Sequence, residues 1–412
     1  MPAIVEFPQV VLDALEQFAD LFDNECQRRH FAEYLTGLLI AQRKTVRSIQ
    51  KEFANSTDQS CLNKFLNKVL WDAQELNEQR LRWLQEDQEL RYTRRGVIAL
   101  DNVLIDHHGK LIEDVGWFWD HAEKRNKIAH DYVFSNFVAP SGKHYPLEFR
   151  RFKKQDQCEE QAVPFRNHTE LFLELVDWAV EREIPGDLVF DSYFTNARIL
   201  NHIHSIRDGG DVSRAYVGDL KFNRKVQWKG KIQKAEQLAA SIPASDRKRL
   251  GKGERQQWYF SSSMRIPDVD HKVRLLFLWK RKNADSPRKI LVTNRTQWEV
   301  TRIQRTYRLR WTGTETFHRD AKQQLGMGDC QLRNGQGQTR HMYMVMLAYS
   351  LLVRQLRHCR SQEWATVRLN TIGEACRALT QETMRSTISW VVEQVRMHNQ
   401  DPEELYDRLG LA

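Results

Sequence analysis

The sequence predicts an α/β fold: a mixed sheet flanked by helices, with an all-helical domain in front of it and a β-rich insertion within it. Three observations predict this. Apolar residues recur at helical spacing through residues 1–95. From 96 to 218, short apolar, β-branched runs alternate with amphipathic stretches, the order of an α/β layer. Residues 219–305 are strand-rich again, and from Gln297 the chain reads as helix almost to its end.

In the first region, helical spacing is clearest over 10–22, 30–42 and 75–86. Residues 43–70 resolve into a short helix ending near Phe53, a polar break at Asn55-Ser56-Thr57-Asp58, and a second short helix. This is helix–turn–helix spacing, with Arg43, Lys44, Arg47, Lys51, Lys64 and Lys68 expected on the polar faces. Such a face suits a DNA backbone; a small bundle with solvated cations is the plainer alternative.

The second region opens with 96–105, a continuous apolar run expected of a strand buried on both faces. Two strands follow at 130–139 and 143–152, joined by the hairpin turn Pro140-Ser141-Gly142. A helix over 168–183 ends at Pro185-Gly186; then come a short strand at 187–191, a helix at 194–205 and a strand at 213–218. The insertion offers strands at 221–230, 257–266, 272–281 and 288–294. Its lysines and arginines, interleaved with aromatics such as Trp228, suit phosphate contacts or else form the outer face of an ordinary sheet. The Met- and aromatic-rich stretch 341–358 reads as a core helix.

Composition narrows the function classes. A chain of 412 residues exceeds one ordinary core, and 41% apolar with 28% charged residues describes a folded globular protein. No stretch approaches the length of a membrane span, the N-terminus lacks the pattern of a signal peptide, and the six cysteines form no C-x-x-C pair. A cytoplasmic protein is expected. The 63 basic against 54 acidic residues give a charge of +9, which favours a polyanionic partner.

Two aspartates follow apolar runs: Asp101 after Val97-Ile98-Ala99-Leu100, and Asp191 after Leu188-Val189-Phe190. A carboxylate at the rim of a buried strand is costly unless something positive meets it. On neighbouring strands the two would reach one divalent metal; otherwise each caps the next turn. Glu315 follows Gly313, expected to break the preceding helix, and shares a helical face with Arg319 and Lys322 at i+4 and i+7. That set suits a phosphate-handling metal site, although Thr312-Gly313-Thr314-Glu315 also reads as a capping box. His107-His108 and His130-Asp131 are expected to be solvated or structural, and Trp117 and Trp119 to be buried.

These motifs resemble the DDE superfamily of insertion-sequence transposases with an RNase H-like core, in particular the bacterial group with a Tyr-Arg-Glu-Lys signature. Residues 98–102 (IALDN) match the first aspartate motif and 189–194 (VFDSYF) the second; Tyr307, Arg310, Glu315 and Lys322 match the signature. Between Arg310 and Glu315 stand four residues where the family has three, and Arg308 is the alternative signature arginine. The resemblance implies that Asp101, Asp191 and Glu315 hold two Mg²⁺ (or Mn²⁺) ions, one activating water or a 3′-hydroxyl and the other stabilising the leaving oxygen. It implies that Tyr307, Arg310 and Lys322 contact DNA; Arg319, beside Glu315 on its helical face, is expected to do so too, and Arg43, Lys44 and Arg47 are expected to contact DNA from the helix–turn–helix region. Double-stranded DNA (transposon ends and target) is the implied partner, with a homodimer in a synaptic complex. The expected parts are a helical DNA-binding domain (1–94), a first part of the core (95–218), a β-rich insertion (219–305), and the catalytic helix with C-terminal helices (306–412). A nuclease without strand transfer and a non-catalytic DNA-binding descendant are the alternatives.

Overall fold

The computed structural model describes residues 4–55, 57–121, 123–207, 212–356, 369–398 and 400–409. The last two residues of the expected 341–358 helix, Cys359 and Ser56 lie outside the described residues. In chain order come α1 (Gln9–Phe18), α2 (Glu25–Ile40), α3 (Val46–Lys51), α4 (Gln59–Asn67) and α5 (Ala73–Gln85). Next are β1 (Val97–Asp106), β2 (Gly116–Asp120), β3 (Arg125–Val138), β4 (His144–Phe152), α6 (Gln155–Glu160), α7 (His168–Glu181), β5 (Asp187–Phe190), α8 (Ala197–Ser205) and β6 (Tyr216–Asp219). The insertion holds β7 (Lys225–Trp228), β8 (Lys231–Lys234), α9 (Ala235–Ser241), β9 (Lys248–Leu250), β10 (Gln257–Met264), β11 (Val273–Trp279) and β12 (Lys289–Thr293). The chain ends with α10 (Val300–Trp311), a π-helical turn (Thr312–Thr316), α11 (Phe317–Gln324), α12 (Gly335–Gln355), α13 (Ile372–His398) and α14 (Pro402–Arg408). No helix among the described residues is long and apolar enough to cross a membrane.

Two compact units arise, one from three chain segments and the other from two. One comprises Met1–Arg91, Leu104–Asp131 and Phe317–Ala412. Here α2 is the central helix, buried from His30 to Ile40 and packed by α1, α3, α4, α12 and α13. Helix α12 is buried almost all round from Gly335 to Val353, as a core helix must be when its apolar residues cover more than one stripe. Polar caps fix where these helices begin: Asn24 for α2, Thr45 for α3, Asp58 for α4, Asp72 for α5 and Asn334 for α12 each accept a backbone N–H of the first turn. The helix–turn–helix spacing of 43–70 is therefore realised as α3 and α4, which pack on each other and on α2.

The other unit comprises Tyr92–Val103 and Tyr132–Thr316 and is built on the sheet. Strand order runs β3-β1-β5-β6, with β4 paired to β3 through the hairpin, and then on through β12-β11-β10-β9. The pairs β1·β5 and β5·β6 are parallel; β6·β12, β12·β11, β11·β10 and β10·β9 are antiparallel. An N-terminal helical region thus precedes a mixed sheet flanked by helices, consistent with an RNase H-like arrangement. The insertion strands β9–β12 prolong that same sheet, and one apolar core joins them to it. Val97, Ala99, Val189, Val217, Leu276 and Leu291 all pack with Val300, Ile303 and Tyr307 of α10.

Three expectations change. Gly313 does not break the helix: helical backbone runs from Val300 to Gln324 through the π turn. A Cβ at Gly313 would stand 2.6 Å from Val138 Cγ2 and 2.9 Å from Ala99 Cβ, so the missing side chain lets the helix press against β1 and β3. The capping-box reading of Glu315 falls with it, because no helix starts there. Asp101 is not at a strand terminus, since β1 continues to Asp106; it stands where pairing with β5 stops, after Leu100↔Phe190. Trp117 and Trp119 are exposed rather than buried, because alternation along β2 turns both to solvent.

Candidate active site

The parallel register brings the first two carboxylates together. Leu100 pairs with Phe190, so Asp101 and Asp191 are the next residues of adjacent strands. Asp101 is 8% exposed, and its Oδ1 accepts the Asn102 N–H at 3.0 Å. Asp191 is half-buried; its Oδ1 accepts the Tyr193 N–H at 2.9 Å and its carbonyl accepts from Thr195 Oγ1 at 2.9 Å. Each aspartate therefore also stabilises its own local backbone.

Glu315 arrives from the π turn. In an α-helix, residues five apart lie on different faces; a π turn has i→i+5 periodicity and brings them back into line. The four residues between Arg310 and Glu315 are thus accommodated by one extra residue in the helix. Arg310 reaches both ends of the site: its Nη1 donates to Asp101 Oδ2 at 2.5 Å, and its Nη2 lies 3.7 Å from Glu315 Oε1. Arg308, the alternative signature arginine, points to solvent.

Electrostatics follow from this packing. Burial pushes the Asp101 carboxyl up to about 7; Arg310 opposes the rise, and the charges of Asp191 and Glu315 add to it. Arg310 is held above its ordinary range by Asp101, Tyr307, Asp191 and Glu315, against the opposing cost of burial. One guanidinium thus faces three carboxylates that all act on it.

Tyr307 is 8% exposed, and its hydroxyl donates to Asp219 Oδ2 at 3.4 Å. It lines an open pocket of about 300 Å³ with Arg288, Lys289, Arg308, Arg310 and Trp311. Asp219, which ends β6, and Lys289 were missed in the sequence, although Val217-Gly218-Asp219 carries the same signal as the other two aspartates: a carboxylate after an apolar strand.

The remaining residues expected to contact DNA lie in the other unit. Arg319 is exposed and pairs with Asp320 at 3.0 Å; Lys322 Nζ donates to the Leu104 carbonyl at 2.7 Å. Arg43 and Arg47 are exposed. Lys44 corrects the expectation of a polar face. It is 6% exposed, and its Nζ donates to the carbonyls of Ala41 at 2.7 Å and Gly37 at 3.4 Å. The reason is its position in the tight connection before the Thr45 cap, where its stem packs over Gly326. His107 and His130 pack edge to face in this unit, and His130 Nε2 bonds the Glu113 carbonyl.

A family model described as a DDE superfamily endonuclease matches residues 17–252. The chain belongs to the DDE superfamily. A second model, a transposase DDE domain, matches residues 166–351, so the two matches together contain Asp101, Asp191 and Glu315. No curated protein matches the chain. Among the described residues no group of three His, Cys, Asp or Glu side chains stands in metal-binding geometry. In this DDE chain Arg310 supplies the counter-charge between Asp101 and Glu315. The donor chemistry nevertheless suits a hard cation: three carboxylates that share one guanidinium, one of them buried.

Proposed function

We propose that the protein is a DNA transposase whose active site is Asp101, Asp191 and Glu315. The observation that carries the reading is geometric: within a DDE chain, Asp101 and Asp191 are the next residues after a paired position of adjacent strands, and one guanidinium, Arg310, reaches both Asp101 and Glu315. Like charges in a buried site create a demand for cations. The three carboxylates would hold Mg²⁺ or Mn²⁺, as two ions, whose Lewis acidity activates the attacking oxygen and steadies the leaving one. Arg310 is the internal substitute for that charge and becomes free to pair with a phosphate when the carboxylates find another partner. Tyr307 and the cations of its pocket hold the DNA backbone beside the carboxylates, and Arg43 and Arg47 bind flanking duplex. Arg319 and Lys322 add phosphate contacts from α11. Two DNA ends must be held together for joining, which calls for a homodimer in a synaptic complex, acting on double-stranded DNA in the cytoplasm.

The test uses purified protein, a labelled transposon-end duplex and Mg²⁺ or Mn²⁺. Cleavage followed by joining of the freed 3′ end to target DNA is the expected result. Cleavage without joining would make the protein a nuclease, and binding without cleavage would make it a non-catalytic descendant.

A further inference from the structure

We propose that Asp219 and Lys289 form a charge-compensated pair that sets how tightly the neighbouring carboxylates hold a divalent cation. The inference rests on the metal-site reading above and adds two residues that the family signature does not contain.

The register explains why the pair matters. Val189 pairs with Val217 and Phe190 with Gly218, so one residue further Asp219 stands beside Asp191. Asp101, Asp191 and Asp219 therefore form a row across three adjacent parallel strands, β1, β5 and β6. Asp219 interacts electrostatically with both Asp191 and Arg310. Its side chain is only 21% exposed, yet it is not bare: Lys289 Nζ lies 3.0 Å from its Oδ2. Tyr307 closes a triangle, giving its hydroxyl proton to Asp219 and accepting from Lys289 Nζ at 3.3 Å. The same ammonium lies 4.6 Å from the Tyr307 ring centroid.

A further carboxylate beside Asp191 is costly unless neutralised, and Lys289 neutralises it. Together the two residues add no net charge beside Asp191, but each alone would. Removing only the Asp219 charge leaves an ammonium facing the site, which repels an incoming cation. Removing only the Lys289 charge leaves an extra anion, which attracts one. The signs follow from Coulomb's law. Neither residue is a metal ligand in this account; both act through the field and through the placement of Tyr307. A purely structural pair gives a different result, because either substitution breaks the same contact and both would weaken binding.

The experiment titrates Mn²⁺ into metal-free, full-length protein without DNA, reading free Mn²⁺ by electron paramagnetic resonance. Asp219→Asn is expected to weaken binding roughly three- to tenfold and Lys289→Met to tighten it by a similar factor. The double variant is expected to return to within about twofold of the wild type, because the two charges act on each other. Lys289→Met binding no tighter than the wild type overturns the proposal, as does folded Asp219→Asn at wild-type affinity. Should thermal melts show that Asp219→Asn does not fold, Lys289→Met alone decides. Wild-type protein that takes up no Mn²⁺ overturns the metal-site reading and this inference with it. Wild-type binding with unresponsive variants overturns the pair alone.

Discussion

Asp101 and Lys44 are both ionisable side chains taken almost wholly out of water, 8% and 6% exposed, one in each unit. Their surroundings differ in kind. The Lys44 ammonium ends on the carbonyls of Ala41 and Gly37, so its hydrogen bonds are spent inside the fold, and burial lowers it to about 8. Asp101 meets one cation, Arg310, which it shares with two further carboxylates, and it is raised to about 7. A buried charge that is hydrogen-bonded to carbonyls and acted on only by opposite charges, here Asp329 and Glu52, is structurally complete. One that shares a single counter-charge with two like charges is left with an excess of negative charge, and that imbalance is the physical root of the proposed chemistry.

The largest expected effect separates these two charges by function. Asp101→Asn or Glu315→Gln is expected to lower end cleavage by about a thousandfold or more, with DNA affinity retained in a gel-shift assay. Lys44→Met is expected to leave both unchanged; wild-type turnover from either carboxylate variant would erase the contrast.

Stability against pH comes next, and the two sites carry opposite signs. The folded protein releases the Lys44 proton near pH 8 while the unfolded chain keeps it to its ordinary 10.5. The cost of burying this charge is thus fully present below about 8 and is relieved as pH rises to 10.5. Urea unfolding should find Lys44→Met more stable than the wild type near pH 7.5, by up to on the order of 3 kcal/mol, with the gap closing by pH 10.5. For Asp101 the folded value is raised, so metal-free protein binds an extra proton between its ordinary 3.8 and about 7. Its contribution is present below 3.8 and lost as pH rises through 7. Asp101→Asn should flatten that fall, and an unchanged slope would mean that Asp101 does not carry it.

A smaller effect concerns the helix that delivers Glu315. Gly313→Ala places a methyl within 3 Å of Val138 and Ala99, both of them buried. A loss of about 1–3 kcal/mol in thermal or urea unfolding is expected, with a fall in cleavage as Glu315 moves. Full activity at wild-type stability would show that the close approach is dispensable. Smallest is the basic edge of the helical unit. Arg43→Ala with Arg47→Ala should reduce the salt dependence of DNA binding by about two charges, whereas Lys44→Met should leave that slope alone.

The same comparison explains what was legible in the sequence. Strands β1, β5, β11 and β12 announce themselves because burial on both faces demands continuous apolar runs, and the aspartates that follow the apolar runs of β1 and β5 stand out against that background. Strand β2 carries Trp117 and Trp119 outward, and the short strands β8 and β9 are more polar than apolar, so none of the three announces itself by a buried apolar run. Lys44 defeated the reading because its burial is set by a turn rather than by helical periodicity. The π turn left one trace, the extra residue between Arg310 and Glu315, which changes meaning once a helix is allowed to widen. Asp219 carries the same signal after an apolar strand, but its place beside Asp191 required the strand order, since only the parallel register sets it there.

The most direct measurement replaces Mg²⁺ with Fe²⁺ and adds ascorbate, so that radicals formed at the bound ion cut the nearby backbone. The account predicts scission beside Asp101, Asp191 and Glu315 together, suppressed by excess Mg²⁺ and lost in Asp101→Asn. Cuts confined to one of the three, or at places remote from all of them, would contradict a shared cation site and the chemistry built on it.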